Sequence, residues 1–355
     1  MRKLSVGIVG ATGTVGQRLV KFLENHPWFE VKVLAASENS KGKTYEDSVK
    51  NRWKMDTPIP EGLRNTIVLD SISDCKEICS SVDFVFCAVN MEKGKLQELE
   101  YEYARNECPV VSSNSAHRWT LDVPMLIPEV NPDHVKIIDV QKKRLGTKKG
   151  FIATKPNCSL QCFVPVIFPL MKFNIKSVIV STYQAISGAG KVFSEFPEIQ
   201  DNVIPNIPGE EEKTEKEPLK ILGSVGDKGI INLNSINIMS SCVRVPVSNG
   251  HLASVFVEFK NKIFENEIID IWNEFNPIVL PSSPKKLIKY FDESDRPQPR
   301  LDRNRENGMG FNVGCLEKHG ENKIKFVCMS NNTVRGAAGG AVLFAELLYK
   351  KGYLY

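Results

Sequence analysis

At 355 residues the chain is longer than one hydrophobic core serves, which predicts two domains. Its 42% apolar and 25% charged residues are ordinary for a soluble globular protein, and a net charge of +4 is too small to argue for nucleic acid. Nine cysteines without paired spacing exclude a disulfide scaffold, and Cys75/Cys79 and Cys158/Cys162 lack the partner pairs of a zinc site, so reduced thiols and no metal are expected.

No stretch approaches the roughly 18 apolar residues of a membrane span. The apolar run after Met1-Arg2-Lys3 is interrupted by Gly10, Gly13 and Gly16 and has no signal-peptide cleavage site. A cytoplasmic protein is expected. Residues 4–9 read as a strand, 10–16 as a glycine turn, 17–25 as a helix and 31–36 as a second strand, a complete βαβ unit. Its glycines, Gly10, Gly13 and Gly16, are spaced G-x-x-G-x-x-G and interleaved with Thr12, Thr14 and Val15. Bare backbone there lets a pyrophosphate reach helix N–H groups, so this segment is the candidate cofactor loop. A tight turn without a ligand is the plainer alternative, and the surrounding βαβ unit weighs against it. Ser37, Ser40, Lys41 and Lys43 follow the second strand and favour the 2′-phosphate of NADP, with Glu38 as the counter-signal for NAD.

Residues 82–89 read as a buried parallel strand, 91–106 as a helix and 110–112 as another strand. The polar turn at 112–118 lies where ligands gather in such sheets, and Arg118 there suits a phosphate as well as solvent. The cations Lys142, Lys143, Arg144, Lys148 and Lys149 read as a solvated face. In Thr154-Lys155-Pro156-Asn157-Cys158-Ser159 a thiol precedes an apolar, helix-like run at 160–173. A helix N-terminus and Lys155 would both favour the nucleophilic thiolate, although Pro165 and Pro169 imply a kinked or short helix. A cysteine taken at random is more often a core residue.

Strands are expected at 177–184, 236–241 and 252–260, a helix at 264–275, and a small-residue turn at 331–340 leading into a helix at 341–350 that returns to the first domain. The expected division is a doubly wound dinucleotide-binding domain, 1–153 plus 331–355, and an α+β catalytic and dimerisation domain, 154–330, with one sheet. Gln184, Glu210, Lys213, Arg244 and His251 are the polar groups in the second domain that could converge on Cys158. Taken singly each is more simply structural; Glu210 and Lys213 could be an exposed helix pair. A thiol with a distant imidazole is nonetheless the pattern of thiol catalysis.

These segments, with Arg296 to Asn304 and Asn332 to Gly339, resemble the aspartate-semialdehyde dehydrogenases of archaea and fungi from end to end. The resemblance implies a glyceraldehyde-3-phosphate dehydrogenase-like fold, NADP as cofactor and a homodimer or homotetramer. It implies reversible reductive dephosphorylation of L-4-aspartyl phosphate, supplying lysine, threonine and methionine synthesis. On the matching positions, Cys158 would be the acylated nucleophile, His251 the general acid/base and Gln184 the group orienting the thioester. Arg244 would grip the substrate carboxylate, Glu210 its amino group, and Lys213, Asn114 and Arg118 the phosphate. Ser187, Gly188 and Asn332 would lie against the nicotinamide.

Malonyl-CoA and succinyl-CoA reductases resemble this branch as well; Asn157 and the Cys242-Val243-Arg244-Val245 segment favour the semialdehyde dehydrogenases. A short-chain reductase needs Tyr-x-x-x-Lys, which the chain lacks, and a cysteine hydrolase leaves the βαβ unit idle. A non-enzymatic NADP-binding regulator would not need both thiol and imidazole.

Overall fold

The computed structural model describes residues 2–355. Six parallel strands form the first sheet: β1 (Leu4–Val9), β2 (Phe29–Ala36), β3 (Leu69–Asp70), β4 (Phe84–Cys87), β5 (Val110–Ser112) and β6 (Ile152–Thr154). Their order is β3-β2-β1-β4-β5-β6, so the chain reverses direction across the sheet between β1 and β4. A crevice opens there at the strands' carboxyl ends. All four side chains of β4 are buried, as a parallel strand covered on both faces requires. Helix α1 (Thr14–Phe22) starts inside the glycine segment, three residues earlier than the expected 17–25, with Gly13 as its N-cap and Gly16 in its first turn, and the next long helix runs over Lys93–Arg105.

The second sheet is mixed and also has six strands, in the spatial order Asn237–Arg244, Ile175–Gln184, His251–Phe259, Lys323–Ser330, Phe311–His319, Ile288–Phe291. Alternation along His251–Phe259 sends one set of side chains into a core with Trp272, Phe311 and Phe326. On the other face Met239, Ile179 and Phe256 lie side by side in the register of three strands and remain exposed. Together the two sheets give the doubly wound plus α+β architecture expected from the sequence. No helix among the described residues is long and apolar enough to cross a membrane.

The C-terminal helix, Gly339–Lys350, is buried on nearly all sides and shares a core with Leu4, Val6, Ile8 and Phe84 of the first sheet. Its Glu346 accepts from His26 Nε2 at 2.8 Å and from the Ser282 hydroxyl at 2.5 Å. Ahead of it, Val334–Ala338 forms a π-turn in which Ala337 takes φ −137° and ψ −105°. Arg335 in that turn is fully buried, paired through both terminal nitrogens with the buried carboxylate of Glu129.

Residues 160–173 correct the expectation of a helix. A 3₁₀ turn at Ser159–Cys162, a four-residue α turn at Val164–Ile167 and a second 3₁₀ turn at Phe168–Phe173 replace it. Pro165 and Pro169 cannot donate the N–H groups that a continuous helix needs. Packing holds the broken segment instead: Leu160, Phe163, Val166 and Ile167 are buried under the second sheet, and Trp272 Nε1 donates to Val166 O at 2.9 Å.

Arg335→Met should leave the Glu129 carboxylate buried without a counter-charge and lower stability by about 3–5 kcal/mol. Urea unfolding followed by fluorescence checks this; a midpoint unchanged from the parent contradicts it.

Candidate active site

The glycine turn divides its labour. Gly10 has φ +91°, and a Cβ there would sit 2.6 Å from Ala88 O. At Gly16 a Cβ would meet Gly10 O at 2.2 Å, so both glycines serve close backbone packing. Gly13, the N-cap of α1, has only Gly10 O within reach of such an atom, at 3.5 Å. Its bare face is open to a ligand. Gly10, Thr12 and Gly13 border a cavity of about 860 Å³ that continues past Ser37, Glu38, Lys41, Arg52 and Ser73. Ser37 therefore lies in the wall, whereas Ser40 is buried behind it and accepts from Arg52 at 3.3 Å. Arg52 is the cation that sequence reading missed, because it lies far from the second strand in the chain and reaches the cavity only through folding.

A second cavity, about 310 Å³, joins the two sheets. Thr14, Val15 and Arg18 line it from α1, Ser113 and Arg118 from the turn after β5, and Lys155, Asn157 and Cys158 from the segment after β6. Ser187, Gly188, Asn332 and Gly336 close it. Asn332 links two of these segments, donating to Ser187 Oγ at 2.9 Å and accepting from the Gly250 N–H at 2.8 Å.

Cys158 Sγ lies 3.4 Å from His251 Nε2. His251 opens its strand, and the Ala185 N–H donates to its Nδ1 at 3.1 Å. The neutral ring thus carries its proton on Nε2, facing the sulfur. Burial, followed by the nearby Arg244 charge, pushes this imidazole down to about 3. Arg244 donates to Ala185 O at 2.8 Å. Gly188 covers both groups: a Cβ there would come 2.8 Å from Arg244 Nη1 and 3.0 Å from His251 Cε1.

The helix Glu210–Ile221 supplies the carboxylates. Glu210 accepts from Asn157 Nδ2 at 3.0 Å, Gln184 Nε2 at 3.2 Å and Lys213 Nζ at 2.9 Å. Glu217 accepts from the Asn157 backbone at 2.7 Å and from Arg118 Nη1 at 2.8 Å. Lys220, one turn further, donates to the carbonyls of Arg118, Thr120 and Val123. Glu217 and Lys220 escaped the sequence reading, although Glu210, Lys213, Glu217 and Lys220 follow one helical stripe.

Cys158, Arg118, Ser187, Gly188 and Asn332 thus meet in one cavity wall. His251, Arg244, Gln184 and Glu210 stand behind the wall in contact with it, and Lys213 is tied to Glu210. Asn114 points elsewhere: its amide donates to Glu100 at 3.1 Å and approaches Cys87 Sγ at 3.3 Å, while Ser113 faces the cavity. Cys158 caps a 3₁₀ turn, so no helix dipole acts on it. Burial, then the Glu210 charge, pushes its thiol up, opposed by Lys155, Arg118 and Arg244. The expected depression of the thiol is thereby corrected: desolvation outweighs the cations.

Two family models match, the semialdehyde dehydrogenase NAD binding domain over residues 5–138 and the semialdehyde dehydrogenase dimerisation domain over residues 167–335. The aspartate-semialdehyde dehydrogenase of Archaeoglobus fulgidus is 42% identical over 98% of this chain and 99% of its own. That of Saccharomyces cerevisiae is 38% identical over 99% of each. The crystal structure of aspartate-semialdehyde dehydrogenase with NADP from Candida albicans, 34% identical, superposes with a TM-score of 0.87 over 99% of this chain and 100% of that one. Identity of this extent, end to end in both chains, makes this protein a member of the aspartate-semialdehyde dehydrogenase family.

Proposed function

We propose that the chain catalyses the NADPH-dependent reductive dephosphorylation of L-4-aspartyl phosphate to L-aspartate 4-semialdehyde, reversibly, through a thioester on Cys158. The observation that carries this reading is the Cys158–His251 contact of 3.4 Å in a cavity shared with α1 of the glycine turn. In the cell such an enzyme would feed lysine, threonine and methionine synthesis from the cytoplasm, where its nine free thiols stay reduced.

NADP fits the residues present. Gly13 leaves room for a pyrophosphate over the start of α1, and Ser37, Lys41 and Arg52 offer a hydroxyl and two cations for a 2′-phosphate. Ser187, Gly188 and Asn332 would hold the nicotinamide beside Cys158. When bound, the cofactor supplies the hydride that reduces the thioester.

Cys158 attacks the acyl carbon and phosphate departs. His251, whose Nε2 lies 3.4 Å from the sulfur, would act as the general acid/base and donate to the carbonyl oxygen as charge grows there. Arg244 has guanidinium nitrogens free of its Ala185 bond for the substrate carboxylate, with Glu210 opposite for the ammonium. Glu210 would exchange one of its three present donors for that ammonium, and Lys213, released from it, would swing toward the phosphate with Arg118. Gln184, held by Glu210, keeps its place beside the thioester. The exposed row Met239, Ile179 and Phe256 suits pairing of two copies through the second sheet, in a homodimer or a homotetramer.

The direct test is the change in nicotinamide absorbance with aspartate semialdehyde, phosphate and each cofactor; NADPH-dependent reduction of malonyl-CoA or succinyl-CoA in its place would favour the CoA reductases. Cys158→Ala should abolish turnover and leave NADP binding within a few fold, and residual turnover dismisses the thioester. Arg244→Leu should cost on the order of 2–5 kcal/mol in kcat/KM, the usual penalty for losing a desolvated charged partner. A change within twofold removes it from the substrate site.

The imidazole of His251 also makes a prediction about stability. Its folded value of about 3 lies below the ordinary 6.5. The unfolded chain therefore binds more protons between these values. The ring's contribution is complete above about pH 6.5 and is lost as the pH falls toward 3. His251→Gln should lose less stability than the parent on acidification through that window, measured by urea unfolding; parallel curves contradict it.

A further inference from the structure

Arg18 is a cation of the crevice that the steps above leave without a task. It lies one turn along α1 from Thr14, and both residues border the cavity of Cys158 and a neighbouring cavity of about 500 Å³. The neighbouring cavity runs between the chain at Lys54 and Asp56 and that at Ser187, Gly190 and Asn249. A guanidinium has five N–H groups to place. Among the described residues none of them meets an acceptor, and Nε is buried in that state. Asp56 is the one charge that supports it, and burial outweighs Asp56 and pushes the guanidinium down. The other cations of this cavity are taken. Lys21 pairs with Glu24, Lys54 donates to Gly190 O at 3.1 Å and to Glu195 at 3.2 Å, and Lys191 lies over the Phe196 ring.

An acceptor in the same cavity is equally bare. Asn249 Oδ1, in the turn ahead of His251, is buried without a donor. Two unsatisfied groups of opposite kind in one cavity require a ligand that both accepts and donates. Helix geometry fixes where the Arg18 charge falls. A long side chain on a helix leans toward the N-terminus. Arg18 therefore lies along Thr14 and brings positive charge back to the end of α1, where the unpaired N–H groups already are. Its own helix makes that position unfavourable until an anion shares it. The bare face of Gly13 opens on the same end.

We propose that Arg18 and Asn249 are cofactor-binding residues: Arg18 holds the nicotinamide-side phosphate of NADP from the flank of α1, and Asn249 accepts from a hydroxyl of the adjoining ribose. This rests on the reading of NADP as the cofactor. A pyrophosphate beside a ribose offers the acceptors and the donor that these two groups lack. Arg18 borders the Cys158 cavity and not the one past Ser37, which assigns it to the nicotinamide half. The glycine turn holds the pyrophosphate through backbone N–H groups; Arg18 adds a charge-assisted bond from a side chain. Asn249 stands two residues ahead of His251, so the same ligand fastens the turn that leads to the imidazole. Inorganic phosphate carries the same chemistry, and the experiment separates the two sources.

The test titrates NADPH by its fluorescence on the full chain, as parent, Arg18→Met and Asn249→Ala, with adenosine 2′,5′-bisphosphate as a second probe. That fragment is the adenosine half of the cofactor and lacks the nicotinamide ribose and its phosphate. Arg18→Met should weaken NADPH about tenfold and leave the fragment within about twofold, since a charge-assisted bond is lost only to the half it touches. Asn249→Ala should weaken NADPH about threefold, the scale of a neutral hydrogen bond. NADPH bound by Arg18→Met at the parental affinity overturns the proposal. So does equal weakening of NADPH and the fragment, which marks a disturbed fold. A raised KM for phosphate with NADPH affinity unchanged assigns Arg18 to free phosphate and overturns it as well, and parental affinity in Asn249→Ala overturns the part given to Asn249. Should Arg18→Met not fold, Arg18→Gln is judged by the same ratio of the two probes. A parent that binds neither probe would instead refute the cofactor reading, so the two failures are distinguishable.

Discussion

Two carboxylates on one helix hold Asn157, and the position of the sulfur follows from that grip. Glu217 takes the Asn157 backbone N–H and Glu210 its side-chain amide, while Asn157 Oδ1 accepts both the N–H and the hydroxyl of Ser159, each at 2.8 Å. The side-chain amide of this residue is engaged through both its oxygen and its nitrogen, which fixes the backbone from which Cys158 reaches His251. The arrangement requires both carboxylates to remain charged while buried. Arg118 and Lys213 answer that requirement, each forming an ion pair with one of them. A half-satisfied network would be worse than an apolar wall, so helix, asparagine and cations stand or fall together.

The same burial sets the balance of charge at the cavity. Desolvation pushes the Cys158 thiol up and the His251 imidazole and Lys155 ammonium down. Each group is moved toward its neutral form, and each is thereby made responsive to a charged ligand entering the cavity. The lining itself carries the cations Arg18, Arg118 and Lys155, which suits an anionic ligand.

The sequence carried the fold because its two signals were local. Strand runs such as residues 110–112 and the βαβ start announce themselves through burial on both faces and the glycines between them. The alternation along 252–260 does the same for the second sheet. The run at 160–173 misled because composition alone cannot separate a helix from buried turns interrupted by prolines; the packing of Trp272 and Phe163 decides it. At the site, residues in compact motifs, Cys158 and Ser187-Gly188 above all, could be read from the chain. Glu217, Lys220 and the direction of the Asn114 amide could not, since each is defined by partners remote in sequence, and Arg52 could not, since the path of the chain after the second strand brings it back to the cavity. The upward push on the Cys158 thiol is hidden from the sequence for a related reason. Proximity of Lys155 is visible in sequence, and desolvation is not.

Glycine placement shows how closely backbone and chemistry are joined. Gly188 leaves no space for a methyl group between the cavity and the Arg244 and His251 side chains. On the opposite side a Cβ at Gly336 would lie 2.8 Å from Cys158 Cβ. Backbone at Gly336 thus packs directly on Cys158, and backbone at Gly188 on the imidazole that meets its sulfur. Gly336 can approach so closely because the π-turn at Val334–Ala338 bulges toward the cysteine, and the buried Arg335–Glu129 pair anchors that turn. A bulge of this kind has little to recommend it for stability alone. Its effect is to hold a bare backbone against Cys158, in the wall of the cavity.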